Sequence, residues 1–440
     1  MDKKSDLRMF SLAAAGLLAF SGLTSCGNEA AAPSASSSNE ETSAATEADI
    51  GTAEKSALSS ELVMPESPAA HIKVGLICLH DESSTYDLNF ISSLEQARKT
   101  LGLTKDQIVV KTNVPEDEEC RKVAEDLAND GCNIVFADSF GHETYMLEAA
   151  EEYPDVQFCH ATGTRAHTEN RDNFHNAFAS IYEGKYLVGV AAGMKINEMI
   201  QSGEITPDQA VMGYIGAYTY AEVISGYTAF YLGAKSVCPS VTMKVTFTGS
   251  WYDIDAEKAA ADQLIADGCV LISQHADSMG APTACEEAGV PNVSSNISTK
   301  DDCPNTFIVS SRINWTPYYE YMINSVIHGD PLESDWVGSV YTDSVQLTAI
   351  NTNVAAFGTK DALDEVRGQL KEGSLHIFDT SKFTVDGKTL DTYMADVDTD
   401  PDYTPDTEVI KDGYFHESEN RSAPYFDLRI DGITLLNEKY

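Results

Sequence analysis

The run IKVGLICL (Ile72–Leu79) passes directly into HDESSTYDLNF (His80–Phe90) and then into ISSLEQARKTLG (Ile91–Gly102). The first piece is short and almost wholly apolar, as a strand covered on both faces requires. The last has apolar residues recurring at three and four, the period of an amphipathic helix. Between them, carboxylates, hydroxyls, an amide and two rings crowd the point where a buried strand ends. Strand, polar turn and helix make the first unit of a parallel sheet with right-handed crossovers. The carboxyl ends of such strands are where open α/β sheets hold their ligands.

The same alternation continues. QIVVKTNV, CNIVFADS and VQFCHATG read as strands, with DEECRKVAEDLANDG and HETYMLEAAEEYP as helices between them. After a long helix rich in small residues, EGKYLVGVAAGMKINEMIQSG, the pattern restarts. AVMGYIGAY, TMKVTFTG, CVLISQHA and VPNVSSN are its strands; SGYTAFYLGAKSV, AEKAAADQLIADG and PTACEEAG are its helices. Two doubly wound, Rossmann-like α/β lobes in series predict a clam-shell joined by a hinge, with a ligand cleft between the lobes. The N-terminal lobe is expected over 71–178 plus about 306–340, and the C-terminal lobe over 179–305 plus about 341–378. An irregular α/β extension follows over 379–440. In the last third NWTPYYEYMINSVIHG and TKDALDEVRGQLKEG read as helices, and SLHIF, FTVDGKTL and YFDLRIDGITLL as strands, the middle one with an Asp-Gly hairpin turn. DVDTDPDYTPD lacks the glycine and terminal glutamate of a calcium loop and reads as a solvated acidic loop.

With 440 residues, 42% of them hydrophobic, the chain can bury a core large enough for two globular units. Its 69 acidic and 29 basic residues give a formal charge of −40, which disfavours nucleic-acid binding. At the amino end Lys3, Lys4 and Arg8 precede an apolar run from Met9 to Leu23 that ends in LTSCG. The run is too short to span a bilayer and reads as a lipoprotein signal, residues 1–25, with Cys26 as the acylated cysteine. Two or three acyl chains on that cysteine give stable anchoring to the membrane. Residues 26–70, rich in Ala, Ser, Thr and Glu, read as a flexible tether. The other eight cysteines (Cys78, Cys120, Cys132, Cys159, Cys238, Cys269, Cys285 and Cys303) form no CxxC, and several lie in or beside apolar strands. They read as buried thiols rather than a disulfide framework or a zinc site.

The polar clusters fall at strand ends. HDESSTYDLNF supplies Asp81, Tyr86, Asp87, Asn89 and Phe90; DSFGHE supplies Ser139 and Phe140; HATGT supplies Thr162. From the second lobe come Tyr218 and Tyr220 in AYTYAEV, Trp251 in GSWYD, His275 and Asp277 in QHADSMG, and Asn296 in VSSN. Rings above and below with carboxylates and amides at the edge suit a flat heterocycle or a sugar ring, although about half of such rings are expected to serve as core or hinge packing. No GxSxG, HExxH, P-loop or GxGxxG motif is present, so neither an enzyme nor a metal or cofactor site is expected.

Over about His71 to Phe378 these residues resemble the basic membrane protein family, lipoprotein substrate-binding proteins of ABC transporters whose characterised members bind purine nucleosides. IYEGKYLVGVAAGMK is similar to that family's E-E-G-S-Y-L-A-G-x-A-A segment, the most specific match. STYDLNF aligns with its D-x-S-F-N loop, Tyr86 at the Phe and Asp87 at the Asn, and TFTGSWYD resembles V-G-S-F-x-D. Departures concern the ligand. Asn296 stands where the family has an acidic residue for ribose hydroxyls, Arg312 in SSRINW is the nearest basic group to the family's lysine, Asp277 replaces a glycine, and Thr162 replaces an aspartate that often meets the base. The resemblance implies a type I periplasmic-binding-protein fold. It also implies an extracytoplasmic receptor, anchored to the cell membrane through Cys26, that delivers a purine nucleoside to an ABC permease and its ATPase. The alternative is a ligand-sensing lipoprotein for an amine-bearing or sugar-like solute, acting through a signalling partner.

Overall fold

The computed structural model describes residues 68–169, 171–397 and 405–440, which belong to one compact unit. The expected signal segment, Cys26, nearly all of the tether and most of DVDTDPDYTPD lie outside the described residues.

The first lobe is built from β1 (Val74–Ile77), α1 (Thr85–Thr100), β2 (Ile108–Lys111), α2 (Glu118–Asn129), β3 (Ile134–Ala137), α3 (Glu143–Glu152), β4 (Gln157–Ala161), α4 (Ala166–Glu169) and β5 (Phe174–Ala179). The second follows with α5 (Ile181–Ser202), β6 (Val211–Gly216), α6 (Ala221–Val237), β7 (Thr242–Phe247), α7 (Ile254–Ala266), β8 (Leu271–His275), α8 (Gly280–Ala288), β9 (Asn292–Ser295) and β10 (Phe307–Ile313). The chain then returns through α9 (Thr316–His328) and β11 (Asp335–Gly338) to the first lobe, and through β12 (Val345–Leu347) and α10 (Thr359–Lys371) to the second.

The first sheet runs β11-β5-β4-β3-β1-β2, with every pairing parallel. The second runs β12-β10-β9-β8-β6-β7 and ends on the strand Ile433–Leu435; only its β10–β12 pair is antiparallel. In the first sheet β2 and β3 flank β1, and in the second β7 and β8 flank β6. Each lobe therefore has a switch point at which consecutive loops leave in opposite directions and open a crevice. β1 and β3 are buried at every position, which explains why the sequence shows continuous apolar runs there rather than alternation.

Several expectations are corrected. Phe307–Ile313 was expected in the N-terminal lobe, but it pairs in parallel with β9 and belongs to the second sheet; only α9 and β11 return. SLHIF forms no strand. Ile377 and Phe378 are buried, and the Phe378 ring stacks 4.3 Å from that of Phe426. FTVDGKTL keeps the Asp-Gly turn, with Asp386 at φ 50° and Gly387 at φ 75°, but only a single bridge, Val385 to Lys388, flanks it. Of YFDLRIDGITLL only Ile433–Leu435 is a strand, and it extends the second sheet by parallel pairing with β7. The eight cysteines are all buried and unpaired, consistent with small apolar fillers.

The small residues of α5 let it lie against α6 at backbone contact. A Cβ at Gly189 would stand 2.2 Å from the Phe230 carbonyl oxygen, and one at Gly233 would stand 2.1 Å from that of Tyr186. Neither neighbour can yield, because each belongs to a helix backbone. Gly233→Ala is expected to lower the unfolding free energy by roughly 1–3 kcal/mol, read in urea melts; an unchanged midpoint would show that the helices can separate freely.

Candidate ligand-binding cleft

A cavity of about 610 Å³, its open mouth included, lies between the lobes. Its apolar floor is Leu79, Phe178, Ile181 and Ile313; its rings are Tyr86, Phe140 and Trp251.

The turn after β1 is held by one carboxylate. Ser84 caps α1: its hydroxyl accepts from Asp87 N at 3.4 Å and donates to Asp87 Oδ2 at 2.5 Å. The His80 amide donates to Asp87 Oδ1 at 2.8 Å. Burial alone would raise the Asp87 pKa, but the hydrogen bonds from His80 and Ser84 outweigh it and hold the carboxyl below its ordinary value. Asp138 stands behind, with Oδ1 accepting from Leu79 N at 3.1 Å. Burial, then the charge on Asp87, pushes the Asp138 carboxyl well above the usual range. One carboxyl held low and one pushed high thus share the turn. Cys78, Asp87 and Asp138 are the one group of potential metal ligands gathered among the described residues. Burial also pushes the Cys78 thiol well up, which opposes the thiolate form that a metal needs.

The lobes meet directly. Thr85 N donates across the cleft to the Asp277 carbonyl at 3.0 Å, and Asn296 Nδ2 donates to Thr85 Oγ1 at 3.1 Å and to Asp277 Oδ1 at 2.9 Å. The Phe140 and Tyr220 rings stack at 4.9 Å, and the His80 and Tyr252 rings lie 5.5 Å apart. Thr162 and Asn296 sit at φ 65° and 69°. A β-branched residue in that region is strained by roughly 1–3 kcal/mol, a cost tolerated mainly where a site fixes the backbone.

Tyr86, Asp87, Ser139, Phe140, Thr162, Trp251, His275, Asp277 and Asn296 all line the cavity, as expected from their strand ends. The remaining candidates do not. Phe90, one turn deeper along α1 than Tyr86, is fully buried and stacked 4.3 Å from Trp315 in the first-lobe core. Asn89 faces the same interior and donates to the Thr85 carbonyl at 3.3 Å. Asp81 spends Oδ1 on the Ser83 amide and hydroxyl at the rim. Tyr218 and Tyr220 stack on each other at 5.1 Å outside Trp251, so they brace the wall rather than form it. Arg312 is out of phase: on a strand of period two, Ser311 and Ile313 face the cavity and Arg312 does not.

Lys185 and Glu222 also line the cavity, and neither was among the expected residues. Lys185 of α5 is buried, and its Nζ donates to the Gln274 carbonyl at 2.8 Å and to the Ser295 hydroxyl. Burial brings its pKa down to about 7, against the pull of Asp277 and Glu222. Glu222 of α6 accepts on Oε1 from His275 Nε2 at 3.2 Å, and burial pushes His275 toward its neutral form. The available signal was a lysine inside the otherwise apolar EGKYLVG run.

Glu257 of α7 pins the loop that carries Asp277: both its oxygens accept from Ser278 N, at 3.3 and 3.2 Å, and Oε1 also accepts from Asp253 N. Burial pushes its pKa up to about 7. A raised folded value means that stability is full below the unfolded value, near 4.5, and is lost as pH rises towards 7, by about 1.4 kcal/mol per unit. Glu257→Gln should remove that loss, so the wild-type stability minus that of the variant falls between pH 5 and 7 in urea melts. A constant difference would mean that Glu257 is ionised throughout.

Residues 75–373 match the family described as ABC transporter substrate-binding protein PnrA-like. A purine-binding protein of Brucella abortus is 30% identical over 318 residues, covering 70% of this chain and 85% of that one. A Haloferax volcanii protein named for glucose binding by an ABC transporter is 29% identical over 298 residues, covering 68% and 72%. Among solved structures, an ABC transporter solute-binding protein from Conexibacter woesei superposes with a TM-score of 0.57 at 20% identity, over 69% of this chain and 98% of that one. With its two doubly wound lobes and the cavity between them, the chain belongs to the PnrA-like family of ABC transporter substrate-binding proteins.

Proposed function

We propose that the protein is the membrane-anchored receptor of an ABC importer and closes its lobes on a purine, with a purine nucleoside as the leading ligand. The observation that carries this reading is a cavity walled by rings from both lobes, Tyr86 and Phe140 on one side and Trp251 on the other. Such walls stack on flat heterocycles, and polar groups at the edges fix their orientation. The name of the Brucella abortus relative supports purines, and the family resemblance supports nucleosides. The name of the Haloferax volcanii relative favours a sugar as the second reading, since rings also stack on sugar faces.

Closure needs no covalent chemistry. A ligand that touches both lobes binds the closed state better than the open one and shifts the population by that difference. The interlobe bonds of Thr85 and Asn296 form only when the lobes meet, so they add to the closed state alone. Presentation to a permease then requires the folded part to stay near the bilayer. No helix among the described residues is long and apolar enough to cross a membrane, and we assign anchoring to acylated Cys26 on the extracytoplasmic face.

Thermal unfolding with purine nucleosides, purine bases, glucose and amino acids tests the ligand. At a hundred times its dissociation constant, a purine should add about 2.7 kcal/mol of stability. Trp251→Ala should weaken that binding about tenfold. A shift with glucose and none with any purine would replace this reading by the sugar one. For the anchor, Cys26→Ala should move the protein from the detergent phase to the aqueous phase in a phase-separation assay; unchanged partitioning would remove the lipid.

A further inference from the structure

Lys185 is placed unusually for a cation. It is buried in the cavity wall, and the partners of its ammonium are a carbonyl and a hydroxyl rather than a carboxylate. A buried ammonium that lacks a paired counter-ion is costly unless its remaining proton finds an acceptor. Two N–H groups are occupied, Nζ lies 5.7 Å from the centre of the Tyr214 ring, and the side chain lines the cavity, so in the ammonium form the third N–H lacks a hydrogen-bond acceptor among the described residues and can meet one on a ligand. Glu222 offers the opposite character on the same lobe. His275 takes Oε1, while the side chain lines the cavity with its other oxygen free to accept.

Resting on the purine reading above, we propose that Lys185 and Glu222 together read the lactam edge of a 6-oxopurine. Lys185 donates to the ring carbonyl, and Glu222 accepts the adjacent ring N–H. Guanine and hypoxanthine compounds present these two groups side by side. Adenine compounds present a ring nitrogen acceptor and an amino donor in the reverse order. To restore the order, an adenine ring must turn over, which carries its N9 substituent across a cavity already shut at one end by the Thr85, Asp277 and Asn296 contacts. The penalty falls on the buried polar groups, left unpaired by the wrong edge, and that is the kind of mismatch that discriminates strongly between ligands.

Calorimetry of the full protein with inosine, guanosine, adenosine and purine riboside, which lacks the 6-substituent, tests this. The wild type should bind inosine and guanosine about tenfold or more tighter than adenosine or purine riboside. Lys185→Met keeps the volume and removes the donor, so inosine should lose about tenfold in affinity and its lead over purine riboside should shrink, the part due to Glu222 remaining. Lys185→Gln serves as a second variant, and a cooperative urea unfolding transition reports that either variant is folded. Equal wild-type affinity for adenosine and inosine, or an inosine affinity unchanged in both variants, would overturn the edge assignment and leave the purine reading standing. Binding of glucose with none of the four nucleosides would overturn both.

Discussion

The buried carboxylate of Asp87 is the constraint on which the cleft depends. It sits three residues into α1 and accepts from the His80 amide and the Ser84 hydroxyl, so the helix start and the end of β1 are fixed by one side chain. With that turn fixed, the Tyr86 ring faces the cavity and its hydroxyl donates to the Asp138 carbonyl at 2.9 Å. The next amide, Thr85 N, is aimed at the second lobe. Hydrogen bonds to charged acceptors are stronger than neutral ones, and in this case they are also sheltered from water. Behind it, burial and then the charge on Asp87 favour the protonated form of Asp138, which eases the repulsion between the two carboxyls.

From that turn the two lobes are coupled through a small number of groups. Asp277 joins them once, its carbonyl taking the Thr85 amide, while within the second lobe its carboxyl takes Asn296 and its loop is held from behind by Glu257. Asn296 spans the gap with one amide group bonded to residues of both lobes. The crossovers at the far side are tied as well, with Ser180 N bonded to the Gly338 carbonyl at 2.8 Å and Asn314 N to that of Ser344 at 2.7 Å. The lobes therefore share a strap at the hinge and a latch at the mouth, and the cavity lies between. Hinge closure of this kind needs only a few element-terminal residues to change conformation.

Much of this arrangement was legible in the sequence. Strand and helix periods identified both lobes, and topology then put the polar loops at one crevice without any knowledge of side-chain contacts. What stayed hidden depends on phase and long-range pairing. Arg312 and Ser311 are neighbours in sequence, yet only the register of β10 decides which faces the cavity. Phe90 and Tyr86 share one helix face, and the depth of the core under α1 separates a cavity ring from a core ring. Lys185 sits in the second turn of α5 rather than in a strand-end loop, and only the fold brings its ammonium to the ends of β8 and β9. The strand Ile433–Leu435 pairs with β7 from the far end of the chain, and no local pattern announces a partner at that distance.

The central claim is that ligand binding and closure of the lobes are one event. Small-angle X-ray scattering of the protein with and without saturating inosine measures it directly. The account predicts a smaller radius of gyration with ligand, and a weaker contraction when Asn296→Ala and Thr85→Ala remove the side-chain part of the latch. Ligand bound in the calorimeter with the scattering curve unchanged would contradict it.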